Sequence, residues 1–337
     1  MPQPSAVVLP THTSELFEAA VQKAASLLCS GQVVALPTET VYGLAANAFD
    51  PEAVARIFSA KGRPAHNPII VHVADIDMAR LCVSRWPLLA DKLAAAFWPG
   101  PLTTVLPRSA KIPDLVTAGA QTVGIRWPSH PLIQAVIRTC GFPLAAPSAN
   151  ISNQLSPTNA AHVLKALGDK IPLIVDGGQS QVGIESTVLD ISVSPPRLLR
   201  PGMIHEQSLL AVTGELAIGP SSSEILKSPG QLPKHYAPRA RLAMLSWKSD
   251  SDFKLQSSKL DVQASKLHVV CHTHIPATGD HARISIIPHD PEAFARAIYA
   301  ELHQCDESGA DLIIIEAPPE SAEWNAIRDR LTRASAA

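Results

Sequence analysis

Two polar side chains stand inside segments that are otherwise apolar. His72 lies in the run IIVHVAD and Arg126 lies in TVGIRWP, and both runs are predicted to be buried β-strands. A buried guanidinium needs an anion, which is either an internal Asp or Glu or the carboxylate or phosphate of a ligand. A histidine in such a strand is most often a satisfied core residue, and it becomes a binding candidate if the strand lines a pocket. Arg200, at the end of RLLR, also directs a cation at a strand terminus.

A second group of candidates lies in the loops that follow predicted strands and helices. PTETVYGLAANA (37–48) follows the apolar run QVVALP, at the end of a strand where open α/β sheets bind ligands. KGRPAHNP (61–68) places two cations around a glycine in a loop stiffened by prolines, which suits phosphate, although such cations also favour a helix end without any ligand. APSANISNQLSPT (146–158) and GIESTVLD (183–190) are hydroxyl-rich loops of small residues, suited to anions.

Alternating strand and helix patterns position these candidates. The predicted elements include a helix over 15–29 with Ser14 as N-cap, a helix from Pro51 to Gly62, a strand over 68–73, a helix over 77–97, and strands over 102–107 and 123–128. Many strands are apolar throughout, so the sheet should be covered on both faces. Residues 219–240 are dense in Pro, Ser and Gly and are predicted to form a linker. The pattern then resumes, which predicts domains over 1–218 and 241–337.

Composition excludes several classes of protein. The net charge of −2 argues against a surface that grips nucleic acid throughout, and 15 aromatic residues are few for base stacking. The five cysteines form no CxxC pair, so reduced thiols in a cytoplasm are expected rather than a disulfide framework or zinc ribbon. We expect neither a signal peptide nor a membrane span, and the sequence contains no GxxxxGK[ST] or GxGxxG motif.

Seven segments of the chain, in order, resemble the YrdC-like threonylcarbamoyl-AMP synthases over roughly residues 25–205. The segments are PTETVYGLAANA, AKGRPAHNPIIVHV, WPGPLT, TVGIRWPSHP, APSANISNQLSPT, GIESTVLD and RLLRPG. The linker and tail resemble the long, two-domain form of that family. The resemblance implies a twisted, open mixed α/β sheet around a concave positive cavity, with a small C-terminal Rossmann-like α/β domain. The implied reaction makes L-threonylcarbamoyl-AMP from L-threonine, bicarbonate or CO2, and ATP with Mg2+, as the first step of a tRNA modification.

The same resemblance assigns roles to individual residues. It implies an L-threonine site formed by Thr40, His72, Arg126, Ala146 and Ser186. It implies an ATP site formed by Lys61, Arg63, Asn67, Thr122, Ser148, Ser156 and Arg200, with His235 and Tyr236 from a linker that acts as a lid. Lys61 and Arg63 would supply catalytic charge neutralisation. Glu39 and Glu185 are candidates for magnesium or amine contacts, and the metal ligands stay open.

Two other functions fit parts of the pattern. A module that binds double-stranded RNA or tRNA without chemistry would use the same positive cavity, but the acidic total charge opposes it. A carbamoyl-transfer domain of a larger maturation enzyme would be expected to carry zinc-finger cysteines and an acylphosphatase segment, which are missing. The synthase reading implies a downstream tRNA threonylcarbamoyl-transferase as partner, and it does not require direct contact with tRNA.

Overall fold

The computed structural model describes residues 5–64, 66–218, 235–260, 266–277 and 283–336. The chain divides into two compact units. The first holds the described residues up to Ser152 and from Ser156 to Ile218; the second holds Asn153–Leu155 and the described residues from His235 onwards. Most of the predicted linker, 219–234, lies outside the described residues. The domain boundaries drawn from composition therefore stay a prediction.

The first unit is built on one eleven-stranded mixed sheet. Its strands are β1 (Val7–Pro10), β2 (Val34–Leu36), β3 (Gly43–Asn47), β4 (Val71–His72), β5 (Leu102–Pro107), β6 (Thr122–Arg126), β7 (Leu144–Ala145), β8 (Leu173–Asp176), β9 (Thr187–Asp190), β10 (Arg197–Arg200) and β11 (Ala217–Ile218). They lie in the order β1-β8-β2-β3-β7-β4-β6-β5-β9-β10-β11. The predicted mixed α/β sheet is confirmed. The predicted strand over 68–73 shortens to the two residues of β4.

Eight helices accompany this sheet among the described residues of the first unit. They are α1 (Ser14–Cys29), α2 (Pro51–Lys61), α3 (Ile76–Cys82), α4 (Leu88–Phe97), α5 (Asp114–Thr117), α6 (Pro131–Cys140), α7 (Ala160–Leu167) and α8 (Glu206–Thr213). The start of α2 at Pro51 and its end at Gly62, which has φ +59°, are as predicted.

Two predictions about helix boundaries are wrong. The N-cap of α1 is Thr13, whose hydroxyl accepts a hydrogen bond from the amide of Leu16, and Ser14 is the first helical residue. Thr13 is the N-cap because its hydroxyl lies three residues before the free amide of Leu16 and can reach it. The single helix over 77–97 is two helices, α3 and α4, and Pro87 stands between them as the N-cap of α4. A proline disfavours helical geometry in the residue before it, so the helix cannot run through.

Both faces of the large sheet are covered in its first half, but by different means. One face packs into the main core with Ala35, Leu44 and Ile174. On the opposite face, strands β2, β3, β7 and β8 are apolar and pack against α1 and α6 through residues such as Leu28 and Ile133. The prediction of a sheet covered on both faces is therefore confirmed for this half. In the far half of the sheet, the second face carries other side chains.

The second unit contains a four-stranded parallel sheet. Its strands are β12 (Arg241–Leu245), β13 (Leu267–Cys271), β14 (Arg283–Ile286) and β15 (Leu312–Glu316), in the order β12-β15-β13-β14, and its helices are α9 (Asp250–Ser257), α10 (Pro291–Glu307) and α11 (Asn325–Ser335). Parallel strands joined by helices agree with the predicted small Rossmann-like α/β domain. Among all described residues of the chain, no helix is long and apolar enough to cross a bilayer.

Glu316 ties together the carboxyl ends of two adjacent strands in this second sheet. Its carboxylate accepts hydrogen bonds from the amides of His272 and Thr273 at 2.7 and 2.8 Å, and a further one from the Thr273 hydroxyl. Burial alone would raise the pKa of Glu316, but these hydrogen bonds outweigh it and lower the pKa below 4.5. The ionised form is therefore the one that the folded unit stabilises.

Replacing Glu316 by glutamine should lower the free energy of unfolding of the second unit by about 1–3 kcal/mol, because amide donors lose an ionised acceptor. The lowered pKa fixes the sign of the pH dependence. The carboxylate contributes its full stability above the unfolded pKa near 4.5, and this contribution is lost as the pH falls through the folded value. Thermal unfolding at pH 7 and at pH 4 should show the Glu316→Gln deficit shrinking in acid. Asp311→Asn, at an exposed ion pair with Lys266, is the control and should change little; an equal loss in both variants would contradict the role of Glu316.

Candidate active site

Strand register brings the two polar strand residues of the sequence together. His72 of β4 lies directly beside Arg126 of β6. Alternate residues along a strand share a face, so the pairing of Val105 with Gly124 and of Thr103 with Val188 continues this face across β5 and β9. Arg200 of β10 lies beside Val188 and joins the same face. This polar face, defined by His72, Thr103, Arg126 and Arg200, is the far half of the face that α1 and α6 cover elsewhere.

Arg126 is almost fully buried and contacts Thr40, Gly100 and Glu39. Its Nη1 donates to the hydroxyl of Thr40 at 2.8 Å, and its Nε donates to the carbonyl of Gly100 at 3.3 Å. Its Nη2 lies 2.7 Å from Oε1 of Glu39. The sequence left open whether the anion beside Arg126 belongs to the protein or to a ligand, and the structure supplies an internal carboxylate. The hydroxyl of Thr40 is held in turn by Thr38, at 2.9 Å.

His72 stays uncharged on this face. Burial, and then the neighbouring charge of Arg126, hold its pKa well below the ordinary value of 6.5. Its Nδ1 is buried and has no hydrogen-bond partner among the described residues. A neutral imidazole with an unused nitrogen can donate to or accept from a ligand without adding a second positive charge beside Arg126.

Ser186 and Arg200 form the next cluster along the polar face. The Ser186 hydroxyl lies 2.8 Å from that of Thr103, and Arg200 donates to the Ser186 hydroxyl from Nη2 at 3.1 Å and to its carbonyl from Nε at 3.0 Å. All three side chains are buried. Thr103 was not among the residues selected from the sequence. Its position in LTTVLP, as one of two adjacent threonines in an apolar strand, is the signal that could have identified it.

Lys61 is a fully buried lysine whose ammonium group contacts carbonyl oxygens. Its Nζ donates to the carbonyls of Ser148 and Asn150 at 2.6 and 2.5 Å. Burial, and then the charge of Arg63, hold its pKa well below 10.5. An anion bound beside it would restore the charged form, since an opposite charge favours ionisation. The hydroxyl of Ser148 donates to the side chain of Asn150, whose carbonyl contacts Lys61, so this hydroxyl also lies close to the lysine.

Arg63 and Asn67 lie in the loop after α2. Arg63 donates from Nε to the carbonyl of Asn67 at 3.1 Å and from Nη2 to that of Pro68 at 2.7 Å. These contacts make the loop rigid and bury the guanidinium. The side chain of Asn67 is completely buried, and neither its oxygen nor its nitrogen has a partner among the described residues. A buried amide without partners is costly unless a ligand supplies them.

Three further predicted residues occupy distinct places in the first unit. Ser156 is buried and donates to Oε1 of Glu185 at 2.5 Å, one residue before Ser186. Ala146 is buried beside Gly43, and a side chain on Gly43 would meet the Ala146 methyl at 3.3 Å. Thr122 starts β6, four residues before Arg126 and hence about 13 Å along the same face. The hydroxyl of Thr122 has no partner among the described residues.

The last two predicted residues, His235 and Tyr236, belong to the second unit. The amide of His235 donates to the carbonyl of Arg333, and the guanidinium of Arg330 lies 5.4 Å from the Tyr236 ring centroid. Tyr236 has φ +62°, a backbone conformation that non-glycine residues seldom adopt. Their assignment to ATP stays a prediction, separate from the geometry of the polar face.

Known proteins match the chain along nearly its whole length. A family model for Sua5, YciO and YrdC proteins, described as telomere recombination, matches residues 26–202, and one described as the threonylcarbamoyl-AMP synthase C-terminal domain matches residues 203–336. The threonylcarbamoyl-AMP synthase of Pyrococcus abyssi is 39% identical, over 94% of each chain. The chain belongs to the threonylcarbamoyl-AMP synthase family. The resemblance stated from the seven segments is thus confirmed.

Other members of the family agree in sequence and in structure. The threonylcarbamoyl-AMP synthase of Bacillus subtilis is 40% identical over 94% of this chain and 92% of its own length. The crystal structure of P. abyssi Sua5 complexed with L-threonine superposes with a TM-score of 0.89 at 37% identity, covering 98% of this chain and 97% of the other. These matches cover both units, so the threonylcarbamoyl-AMP synthase relatives share the two-domain organisation.

Proposed function

We propose that this chain is a nucleotidyltransferase that makes L-threonylcarbamoyl-AMP from L-threonine, bicarbonate or CO2, and ATP, and releases pyrophosphate. One observation carries the proposal: Arg126, Thr40 and His72 meet on the same buried sheet face as Ser186 and Arg200. Relatives with the same two-domain chain are named threonylcarbamoyl-AMP synthases, and the P. abyssi structure is described as a complex with L-threonine. The product would serve a downstream transferase that modifies tRNA.

L-Threonine would bind at the half of the polar face nearest Arg126. The guanidinium and the Thr40 hydroxyl, 2.8 Å apart, can together hold an α-carboxylate. His72 offers its unused nitrogen without adding charge. Ser186 and Thr103 place two hydroxyls 2.8 Å apart for the polar end of the side chain, and the methyl of Ala146 would offer an apolar contact.

ATP would bind beside the cations Lys61, Arg63 and Arg200. Backbone carbonyls hold the side chains of Lys61 and Arg63 in place, and a bound phosphate would favour the charged form of Lys61. Asn67 supplies an amide that lacks partners among the described residues, and Ser148, Ser156, Thr122 and Arg200 would complete the contacts. Rigid cations cost little entropy on binding, which favours the transition state in which charge is redistributed among the phosphates.

Mg2+ would enter with ATP. The described residues contain no group of three side chains that could hold a metal by themselves. This agrees with the chemistry of Mg2+, which is commonly held by one or two carboxylates, water and the substrate's phosphates. Glu185, which accepts from Ser156 in the proposed phosphate region, is the carboxylate that fits this role. The ion would supply charge neutralisation on the triphosphate.

The reaction needs two bond-forming steps and no covalent enzyme intermediate. The α-ammonium of threonine first loses a proton, and the neutral amine then attacks the carbon of CO2 or bicarbonate to give a carbamate. With CO2 the nitrogen releases a second proton as the N–C bond forms, and with bicarbonate a molecule of water leaves instead. A carbamate oxygen then attacks the α-phosphorus of ATP, and the bond to the β-phosphate oxygen breaks as pyrophosphate leaves. Lys61, Arg63 and Arg200 would neutralise phosphate charge while Arg126 holds the carboxylate in place. Because carbamates decompose in water, both steps must occur in a site closed to solvent.

The test is the release of pyrophosphate from ATP by the full chain. We expect release that requires both L-threonine and bicarbonate, together with an adenylate product detectable by mass spectrometry. Omission of either small molecule should reduce the rate to background. Release that ignores threonine would contradict the proposal, and retention of RNA without any such activity would favour an RNA-binding module instead.

A further inference from the structure

Glu39 is a buried carboxylate whose position is fixed by its backbone. The Glu39 carbonyl accepts from the amide of Val182 at 2.7 Å, and the Thr40 carbonyl accepts from that of Gly183 at 3.1 Å. On the other side, the Thr38 hydroxyl contacts the Thr40 hydroxyl, and the Thr38 carbonyl accepts from Ser180 at 3.0 Å. A loop anchored on both sides places the carboxylate in one position, as a binding group requires.

The hydrogen-bonding capacity of this carboxylate is unused. Glu39 is only 6% exposed, yet neither of its oxygens has a hydrogen-bond partner among the described residues. Nη2 of Arg126 lies 2.7 Å from Oε1, but it too lacks a hydrogen bond of good geometry there. The contact is an ion pair without an aligned N–H. Buried carboxylates ordinarily accept several hydrogen bonds, so two oxygens without donors indicate a place for a ligand that carries them.

The charges of the pair match those of a free amino acid. Arg126 presents a positive group and Glu39 a negative group side by side, whereas an amino acid carries a carboxylate and an ammonium on the same carbon. An inserted amino acid would place its carboxylate against Arg126 and its ammonium against Glu39, which exchanges one internal ion pair for two. His72, whose pKa burial lowers, stays neutral and leaves this balance undisturbed. Such an exchange limits the desolvation cost of burying the zwitterion.

We infer that Glu39 is a substrate-binding residue that receives the α-ammonium group of the amino acid. The inference rests on the proposed function, and it assigns the amine end of the substrate to a residue separate from those that hold its carboxylate and side chain. It also accounts for both of the anions that the sequence offered as partners of Arg126, because the internal acid and the ligand carboxylate would contact different sides of one guanidinium. Glu39 thereby selects for an amino acid over the same acid without its amine.

The test compares L-threonine with 3-hydroxybutanoate, which keeps the carboxylate, hydroxyl and methyl but lacks the amine. Calorimetry on the full chain should show the wild type preferring L-threonine by at least about tenfold. In Glu39→Gln the affinity for L-threonine should fall about tenfold or more, while that for 3-hydroxybutanoate stays within about twofold or improves. Equal weakening of both ligands, or unchanged threonine affinity, would overturn the inference and assign Glu39 a structural role.

Two further measurements keep the result decisive. If Glu39→Gln does not fold, Glu39→Asp keeps the charge beside Arg126 but withdraws it by one carbon, and should reduce the preference for L-threonine about threefold or more. A full wild-type preference in Glu39→Asp would overturn the inference.

Failure of the proposed function looks different, since the wild type itself would then release no threonine-dependent pyrophosphate. A wild type that does so while Glu39→Gln keeps its ligand preference defeats only the assignment of Glu39.

Discussion

Replacing Arg126 by alanine should reduce kcat/KM for L-threonine by about a thousandfold or more. The side chain is 3% exposed and holds both Thr40 and Glu39, so its loss removes the group that would receive the substrate carboxylate. It also leaves Glu39 buried without a counter-charge. Truncating one partner of a buried charge pair at a binding site costs about 2–5 kcal/mol of binding free energy, and each 1.4 kcal/mol is a factor of ten. Threonine-dependent pyrophosphate release, together with threonine affinity by calorimetry, measures this effect.

Two controls separate binding from folding. Arg108→Ala breaks a half-exposed ion pair with Asp114 on the same unit, and it should leave turnover within about twofold of wild type. The double variant Arg126→Ala with Glu39→Gln removes the stranded charge, so it should regain thermal stability while staying inactive. If Arg126→Ala bound threonine as wild type does, Arg126 would have no place in the site.

Lys61→Met should lower kcat/KM for ATP by about a hundred- to a thousandfold, and leave threonine affinity within about twofold. Methionine keeps the apolar stem but removes the ammonium that the carbonyls of Ser148 and Asn150 hold in place. A preorganised cation lost from a water-poor site costs about 100- to 1000-fold in rate. Initial rates at varied ATP and saturating threonine measure the effect, with threonine binding followed separately by calorimetry.

The matched control for this lysine is Lys23→Met on the exposed side of α1, which should have no effect on either substrate. Lys61→Arg tests geometry rather than charge, because the planar guanidinium is larger than an ammonium and cannot fit the same carbonyls. We expect it to be impaired nearly as severely. Activity within about threefold of wild type in Lys61→Met would place the phosphates elsewhere.

Local sequence patterns predicted much of the scaffold. Helix α2, from its proline start to its glycine end, and strand β5 appear at the predicted positions, since capping and periodicity act over a few residues. The same local rules failed where two of them compete. Thr13 and Ser14 are both good caps, and only the geometry of the first turn selects Thr13. The proline-terminated division between α3 and α4 was hidden by a continuous apolar pattern.

The sequence by itself determined which residues are candidates for the site, because a histidine or arginine in an apolar strand is anomalous wherever the strand lies. Only the tertiary structure decided how they combine. The register of β4 with β6 places His72 beside Arg126, and a loop more than eighty residues away supplies Glu39 and Thr40 to that arginine. Pairings of this kind depend on strand order and on the packing of distant segments. No local pattern along the chain encodes them, and so the internal partner of Arg126 could be offered from sequence only as one of two alternatives.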